Sequence, residues 1–447
     1  MPAGSMSAPR VAVVGGGVGA SALVFGLRNE LATRQLEVAP NGAWGRLPSP
    51  CCLALTVPTS LPCVDQVELF EMGRGPGGRA TTRGTRERPE LRVDHGAPSF
   101  AARSARFGAL CEELAGSGGA LQHSDELVGI LDTDGSFVAE EQAPTRYVGR
   151  PGHGMSSLCE ALLRGGQPSA PMLAKCSFGT MVSQVERVDA ATHDGACAAG
   201  SGTRPAWRLR SNKGNDLGLF DWLVVTSTGL AHPRWTSAFG GPPPLVDAAA
   251  TMNDANLSAA LDALAPLTSK PVTSCLLAYT SEAAAAWAAL PFRKARVAGD
   301  GPLSRIVVQR LAPSLTAVVL HSTHDFSREV ASVYGATSTA ARLAGAASDA
   351  QTEAQVLDEM RRAATARLSG LLSSEHLDAT PVWGPHLHRW GAAFPDAPLL
   401  PSQHTLVRSA GVAFCGDFVE GEGAGSVEGA ALSGLRLSEQ LRSTLQL

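Results

Sequence analysis

Several classes of protein are excluded by what this sequence lacks. Its nine cysteines are odd in number and none stands in C-x-x-C spacing, which argues against a zinc site and against a secreted disulfide framework. A reducing compartment is the expectation. Apolar runs are short: the longest such stretch, "SPCCLALTVPTSLPC" (49–63), is broken by three prolines and does not suit a membrane span. Only ten residues precede the first apolar strand and they hold no hydrophobic core, so no secretory leader is expected. A cytoplasmic protein and a processed soluble organelle protein, of a chloroplast for example, read alike on these grounds. The formal charge is small, −4, which removes the electrostatic basis for binding nucleic acid or an anionic membrane. No cluster of side chains suggests a metal.

Glycine, by contrast, is abundant at 48 residues, and a chain uses it where backbone must come close to something. At 447 residues the chain exceeds one hydrophobic core, and two domains are expected. "VAVVGGGVGASALVFGL" (11–27) reads as a buried parallel strand, a tight turn and a helix with apolar Leu23 and Leu27. Gly15, Gly17 and Ala20 fill the G-x-G-x-x-G/A pattern. Gly15 allows the sharp turn, Gly17 lets backbone approach a pyrophosphate, and Ala20 keeps helix close to strand, so phosphate meets free N–H groups at the positive end of a helix. The same turn without any ligand is the plainer alternative.

A ribose-binding acid is expected at the end of the second strand, and "VELFE" (67–71) supplies Glu71. The spacing of 54 residues from Gly17 exceeds the usual figure of about 20, so 31–64 reads as an insertion, a surface loop or a protein-partner patch. "MGRGPGGRATTR" (72–83) follows, with Gly77 and Gly78 for close approach and Arg79 as a fork of donors for phosphate. Downstream, "GRPGHGMSSLCEALL" (149–163) suggests a helix capped by Ser156 or Ser157, 180–188 alternates as a strand, and 207–228 reads as a hairpin leading into a buried strand. Region 241–380 differs in character: alanine-rich helices at 247–264 and 339–368 flank strand-like runs at 272–280, 304–311 and 315–323.

In their order, the turn at 15–20, Glu71, "GPGGRATTR", "VDHGA", "GMSSL", "HRW" and the terminal "CGDF…GSVEGAALSG" resemble the renalase-like branch of the FAD-dependent amine oxidase superfamily. The resemblance covers nearly the whole chain apart from 31–64. It implies an α/β fold: a Rossmann-like FAD-binding domain in three segments (9–100, 147–240, 408–447) with an α+β substrate domain on a mixed sheet (101–146, 241–407). It further implies non-covalent FAD with Gly15, Gly17 and Ala20 on its pyrophosphate and Glu71 on the adenosine ribose. Gly78 and Arg79 would flank the phosphates, and Gly96, Ala97 and Ser99 would lie near the isoalloxazine. Val182 would meet the adenine through its backbone, Asp417 would accept from the ribityl or phosphate-linked end, and Gly425, Ser426 and Val427 would face the flavin N1/O2 edge.

For the reaction, the resemblance implies hydride accepted at flavin N5 from a small donor, most readily a reduced nicotinamide or an isomer of it, with O2 or another acceptor reoxidising the flavin. His388, Arg389 and Trp390 of "HRW" are candidates for the substrate face, though His388 and Trp390 equally suit a core strand. Relatives carry a tyrosine two residues beyond the tryptophan; Ala392 stands there, which weakens the case for an aromatic amine cage. His321, in "HSTHDFSREV", fits a core histidine better than a substrate-face residue. An amine or polyene-type oxidase, and a structural subunit holding a silent FAD, are the alternatives.

Overall fold

The structure is a computed structural model that describes residues 9–28, 67–116, 119–125, 127–141, 144–189, 205–335 and 349–445. The 31–64 segment and its expected partner surface lie outside the described residues.

Two sheets dominate, and the chain visits them alternately. The first has six strands in the order Lys175–Phe178, Val67–Glu71, Val11–Val14, Trp222–Val225, Val412–Phe414 and Leu406–Val407, all parallel except the last. Its strands at 11–14 and 222–225 are uninterrupted apolar runs and are buried throughout, as helices covering both faces require; 67–70 is buried too, its one acid, Glu68, held by Arg10 and Lys175. On one face the helices Val18–Arg28 and Val427–Leu445 lie in direct contact. Small residues bring them together: a Cβ on Gly434 would stand 2.2 Å from the carbonyl of Gly19, and one on Gly26 would overlap Ser438. The N-terminal nucleotide turn and the last helix are thereby held side by side. The helix Ser156–Leu163, which joins this layer, was expected to be capped by Ser156 or Ser157. Neither serine caps it: Ser156 Oγ accepts from Thr82 N at 2.8 Å, and Ser157 Oγ donates to Ala120 O at 2.6 Å. Both hydroxyls are engaged by neighbouring chain segments instead of the helix's own first turn.

The second sheet has seven strands in the order Trp383–Asp396, Thr268–Thr280, Leu315–Ser322, Leu303–Ala312, Lys294–Val297, Val128–Leu131 and Phe137–Ala139. It is mixed, since Lys294–Val297 runs parallel to Val128–Leu131 while its other pairings are antiparallel. Period-2 alternation sorts the side chains. Cys275, Leu277, Val318 and Leu320 face helices Ser281–Ala288 and Ala350–Leu368, contributing to the larger apolar core of this sheet. Leu276, Ala278, Val307, Ala317 and Val319 face the other way, onto Leu91 and Val93. Segment 91–99 is clamped there by a reciprocal pair: Gln309 Nε2 donates to Asp94 O at 2.8 Å and Asp94 N donates to Gln309 Oε1 at 2.9 Å. No helix among the described residues is long and apolar enough to cross a membrane.

Because the Gly434–Gly19 approach leaves no space for a side chain, Gly434→Val is expected to cost about 1–3 kcal/mol, read as a lower urea midpoint for unfolding. An unchanged midpoint would show that the two helices are not held at this distance.

Candidate functional site: a glycine cradle beside a histidine-lined sheet face

The cradle begins at the turn after the first strand. Gly15 has φ +110°, a backbone state that side chains rarely adopt, and a Cβ there would strike Thr226 Oγ1. Gly17 is different: a Cβ there would meet nothing within 4 Å, so this backbone faces open space. Ala20 is fully buried and lets the helix seat on the strand. Gly77 N donates to Gly16 O at 2.7 Å, and Gly78 stands over Gly17, its would-be Cβ 3.3 Å from Gly17 Cα. Two glycine turns that are about sixty residues apart in sequence thus form one wall. Glu71 stabilises that wall, accepting from Gly16 N at 2.6 Å and from Gly73 N. Burial raises its pKa, and those two backbone donors pull it partly back.

Arg79 and Asp417 meet. The guanidinium donates to both carboxylate oxygens, at 2.7 and 2.6 Å, and also to Ala393 O at 2.9 Å. Arg79 thus carries out the ion pairing expected of its fork geometry, but on Asp417. Asp417 O accepts from Gly425 N at 2.8 Å, and Ser426 Oγ accepts from Gly429 N, so the turn before the last helix is fixed to the same carboxylate residue. Val427 packs into the adjoining apolar cluster. Glu428, 2% exposed, accepts from Arg103 N, Ser104 N and Ser104 Oγ, anchoring this end of the helix.

The third part is the face of the second sheet that looks onto segment 94–99. In register across adjacent strands stand Arg305, His321, Ser274 and His388. His95 covers them: His321 Nε2 lies 3.3 Å from His95 O, and Trp390 Nε1 donates to the same oxygen at 3.2 Å. The His95 ring lies edge-on to His388 at 4.7 Å and tilted against Trp390 at 5.1 Å. Gly96 fits beneath, where a Cβ would stand 2.1 Å from Arg79 O and 3.2 Å from the Trp390 ring, and Ala97 N donates to Arg79 O. Ser99 Oγ accepts from Lys294 Nζ at 3.3 Å.

Electrostatics follow from this burial. Desolvation, then the Arg305 charge, lowers His321 to about 3; desolvation, then Arg83, lowers His388 to about 4. His95 is pushed well down by burial and by His388. Lys294 is lowered to about 7 by burial and then by Arg305 and Arg146. Asp94, buried with Thr82 Oγ1 and Met155 N as donors, is raised to about 7 by desolvation. At neutral pH, therefore, this face presents three uncharged imidazoles and an amine near its midpoint. Two buried polar atoms here, His95 Nδ1 and Ser274 Oγ, have no hydrogen-bond partner among the described residues.

The structure brings together in one cradle Gly15, Gly17, Gly78, Arg79, Asp417, Gly425 and Ser426, and beside it Gly96, Ala97, Ser99, His388 and Trp390. Arg389 points away from His388, beside the Tyr334 ring at 5.5 Å. His321, read from sequence as a core residue, is buried yet belongs to the polar row. Val182 is buried in the core of the first sheet, and a groove of about 540 Å³ runs past its neighbours Met181 and Ser183, with Asn212, Trp235 and Phe239 opposite. An FAD molecule suits these residues: open glycine backbone at a helix N-terminus would take its diphosphate, with Glu71 at the end of the adjoining strand and an aromatic groove beside Val182. Sequence reasoning passed over His95, Asp94, Lys294, Ser274 and Arg305. Asp94 and His95 both stood inside the quoted "VDHGA"; Lys294, Ser274 and Arg305 carry no local signal.

No known protein-family profile matches the chain, and no curated protein matches it in sequence. Solved structures do. A double mutant of putrescine oxidase redesigned in cofactor binding matches with TM-score 0.51 and 10% identity over 97% of this chain and 99% of its own. A triple mutant from the same redesign matches with TM-score 0.54 and 10% identity over 98% and 99%. At that identity the likeness is one of fold: over almost its whole length this chain has the mixed α/β architecture of putrescine oxidase.

Since nothing lies within 4 Å of a Cβ on Gly17, Gly17→Ala is expected to leave the unfolding midpoint within about 0.5 kcal/mol of the parent. Binding of FAD to the apoprotein, followed by quenching of flavin fluorescence, should weaken at least about tenfold. Equal affinity would remove Gly17 from the cradle.

The histidines predict a pH effect with a definite sign. An unfolded chain protonates His321 near its ordinary value of 6.5 while the folded chain resists until about 3. The unfolded state therefore takes up the extra proton, and stability falls as pH drops through that window. Asp94 acts with opposite sign between its ordinary 3.8 and about 7, so the test is a difference. Relative to pH 7, His321→Gln should lose about 2 kcal/mol less stability than the parent at pH 5, measured by urea unfolding. Parallel pH profiles would contradict the buried, neutral His321.

Proposed function

We propose that the protein is a FAD-dependent oxidoreductase that takes a hydride equivalent from a small donor and returns the electrons to O2 or another acceptor. The observation that carries this reading is the convergence of backbone glycines from residues 15–17, 77–78 and 425 around Arg79 and Asp417, a cradle that side chains would fill. When bound there, FAD would supply hydride acceptance at N5. The chain's own residues account for the rest. Gly17 and Gly78 offer backbone to a diphosphate, and Glu71 holds the turn and stands where a ribose would be met. The last helix directs its positive end, through Ser426 and Val427, at the site, where negative charge on a reduced cofactor is stabilised.

The donor is most consistent with a reduced nicotinamide or an isomer. Hydride donation from such a ring requires little proton transfer, and the sheet face offers three imidazoles held neutral together with Trp390 as a flat apolar wall. Trp390 and His388 pack on His95, which places them over Gly96. An amine donor is the second reading, favoured by the putrescine oxidase fold and by Lys294, lowered to about 7, beside Ser99. The near-neutral lysine could hold a proton released by an amine.

The test is anaerobic reduction of the FAD-loaded protein by NADH, NADPH, their dihydro isomers and putrescine, followed by visible absorbance. Bleaching by a dihydronicotinamide and recovery in air is expected. Bleaching by putrescine alone would establish the second reading, and a flavin that no donor reduces would contradict an oxidoreductase.

A further inference from the structure

The edge strand Trp383–Asp396 carries two extra residues where it passes Thr268–Thr280: Val272 pairs with Trp390 and Lys270 with Phe394, so Gly391, Ala392 and Ala393 form a bulge. Two arginines flank it. A side chain on Gly391 would begin 3.3 Å from Arg234 Nη2 and 3.7 Å from Arg389 Nη1. That one point, open because the residue is glycine, lies near both guanidiniums.

Like charges placed so close require compensation, and the chain does not supply it. Among the described residues neither guanidinium has a hydrogen-bonded partner or an acid within ion-pair distance. Arg389 Nε is buried without a partner, and its guanidinium rests over the Tyr334 ring. The cradle carboxylate Asp417 is already bound by the Arg79 fork. Neither arginine is loosely placed. Arg234 N donates to His232 Nδ1 at 3.1 Å, and His232 Nε2 reaches Leu267 O at 2.8 Å, which fixes the loop before Arg234. Next to Tyr334, Gly335 packs against the edge strand, where a Cβ would stand 2.3 Å from Leu387 O. Arg234 is exposed and Arg389 half-buried, so a ligand can arrive from solvent and end against the bulge. Desolvation, then the charges of Arg389 and Arg79, lowers the pKa of Arg234.

We infer that Arg234 and Arg389 form an anion subsite that takes the carboxylate or phosphate group of the small donor at Gly391. The guanidinium fork matches either group, and two forks on one oxyanion give a directional, charge-assisted contact. The subsite lies on the side of the edge strand to which Arg389 points, beside Tyr334 and away from His388, and two guanidiniums select a ligand bearing an anionic group and not a cationic diamine. This rests on the oxidoreductase reading for the identity of the ligand, but not for the existence of the site.

The FAD-loaded protein is titrated by calorimetry and by flavin difference spectra with two matched pairs: benzoate against benzamide, and nicotinamide mononucleotide against nicotinamide riboside. FAD content and melting temperature are recorded for the parent, Arg234→Gln, Arg389→Gln and Arg389→Lys. The anionic member of at least one pair should bind about tenfold or more tightly than its neutral partner, and the pair that discriminates tells carboxylate from phosphate. Either glutamine variant should abolish that preference with FAD content unchanged, and Arg389→Lys should retain part of it. Equal binding of all four probes would overturn the subsite. Loss of FAD in the glutamine variants, without any anion preference in the parent, would overturn it too, because the arginines would then serve the cofactor's diphosphate. Anion preference seen by calorimetry in a protein that takes up no FAD would uphold the subsite and reject the oxidoreductase reading.

Discussion

The Arg79–Asp417 ion pair joins residues 338 positions apart, and the geometry of the cradle depends on it. Asp417 is 8% exposed at its side chain and Arg79 40%. A buried carboxylate left without its partner costs roughly 3–5 kcal/mol, and the openness of Arg79 puts this pair toward the lower figure. More is fixed than one contact. Arg79 also reaches Ala393 O on the edge strand of the second sheet, while Asp417 O holds Gly425 N before the last helix. One fork therefore ties the second glycine turn, the C-terminal turn and the second sheet to each other. The two glycine turns near the N-terminus would face nothing without the last helix, and that helix is kept in place by the glycine contact at Gly434.

The second constraint is the burial of polar groups on a sheet face. Four adjacent strands place Arg305, His321, Ser274 and His388 in a row where a structural sheet would place apolar residues. Burying imidazoles is tolerable only if they stay neutral, and desolvation itself enforces that, reinforced by the positive charges of Arg305 at His321 and Arg83 at His388. A protein gains nothing in stability from such a row. The row lies directly over segment 94–99, which Gln309 clamps in place, and buried titratable groups gathered in this way mark a candidate functional site.

Much of the architecture was legible in the sequence because it is written in local patterns. The strand, glycine turn and helix at 11–28, Glu71 at a strand end, the hairpin within 205–220 and three of the seven strands of the second sheet, Thr268–Thr280, Leu303–Ala312 and Leu315–Ser322, show as apolar runs or alternation bounded by turns. The site was legible where glycine marks a close approach, as at Gly17, Gly78 and Gly425. It was not legible where strand register does the placing. Ser274 follows Thr273 in a strand that otherwise reads as apolar and gains meaning only beside His321 and His388; Lys294 sits in "PFRKARV", which reads as any basic strand. Arg79 shows a related limit: its residue type pointed to an anion, and the fold supplied Asp417 as that anion. The serines at 156 and 157 looked like helix caps because they precede a helix, yet tertiary partners claimed their hydroxyls.

The measurement that tests the central claim most directly is the binding of FAD to the purified protein, by visible absorbance after reconstitution and removal of free cofactor. A cradle built from Gly17, Gly78, Arg79, Asp417 and Gly425 predicts one FAD retained per chain, released intact on unfolding. A colourless protein that retains none after reconstitution would contradict it, and would leave the convergence of these glycines as packing alone.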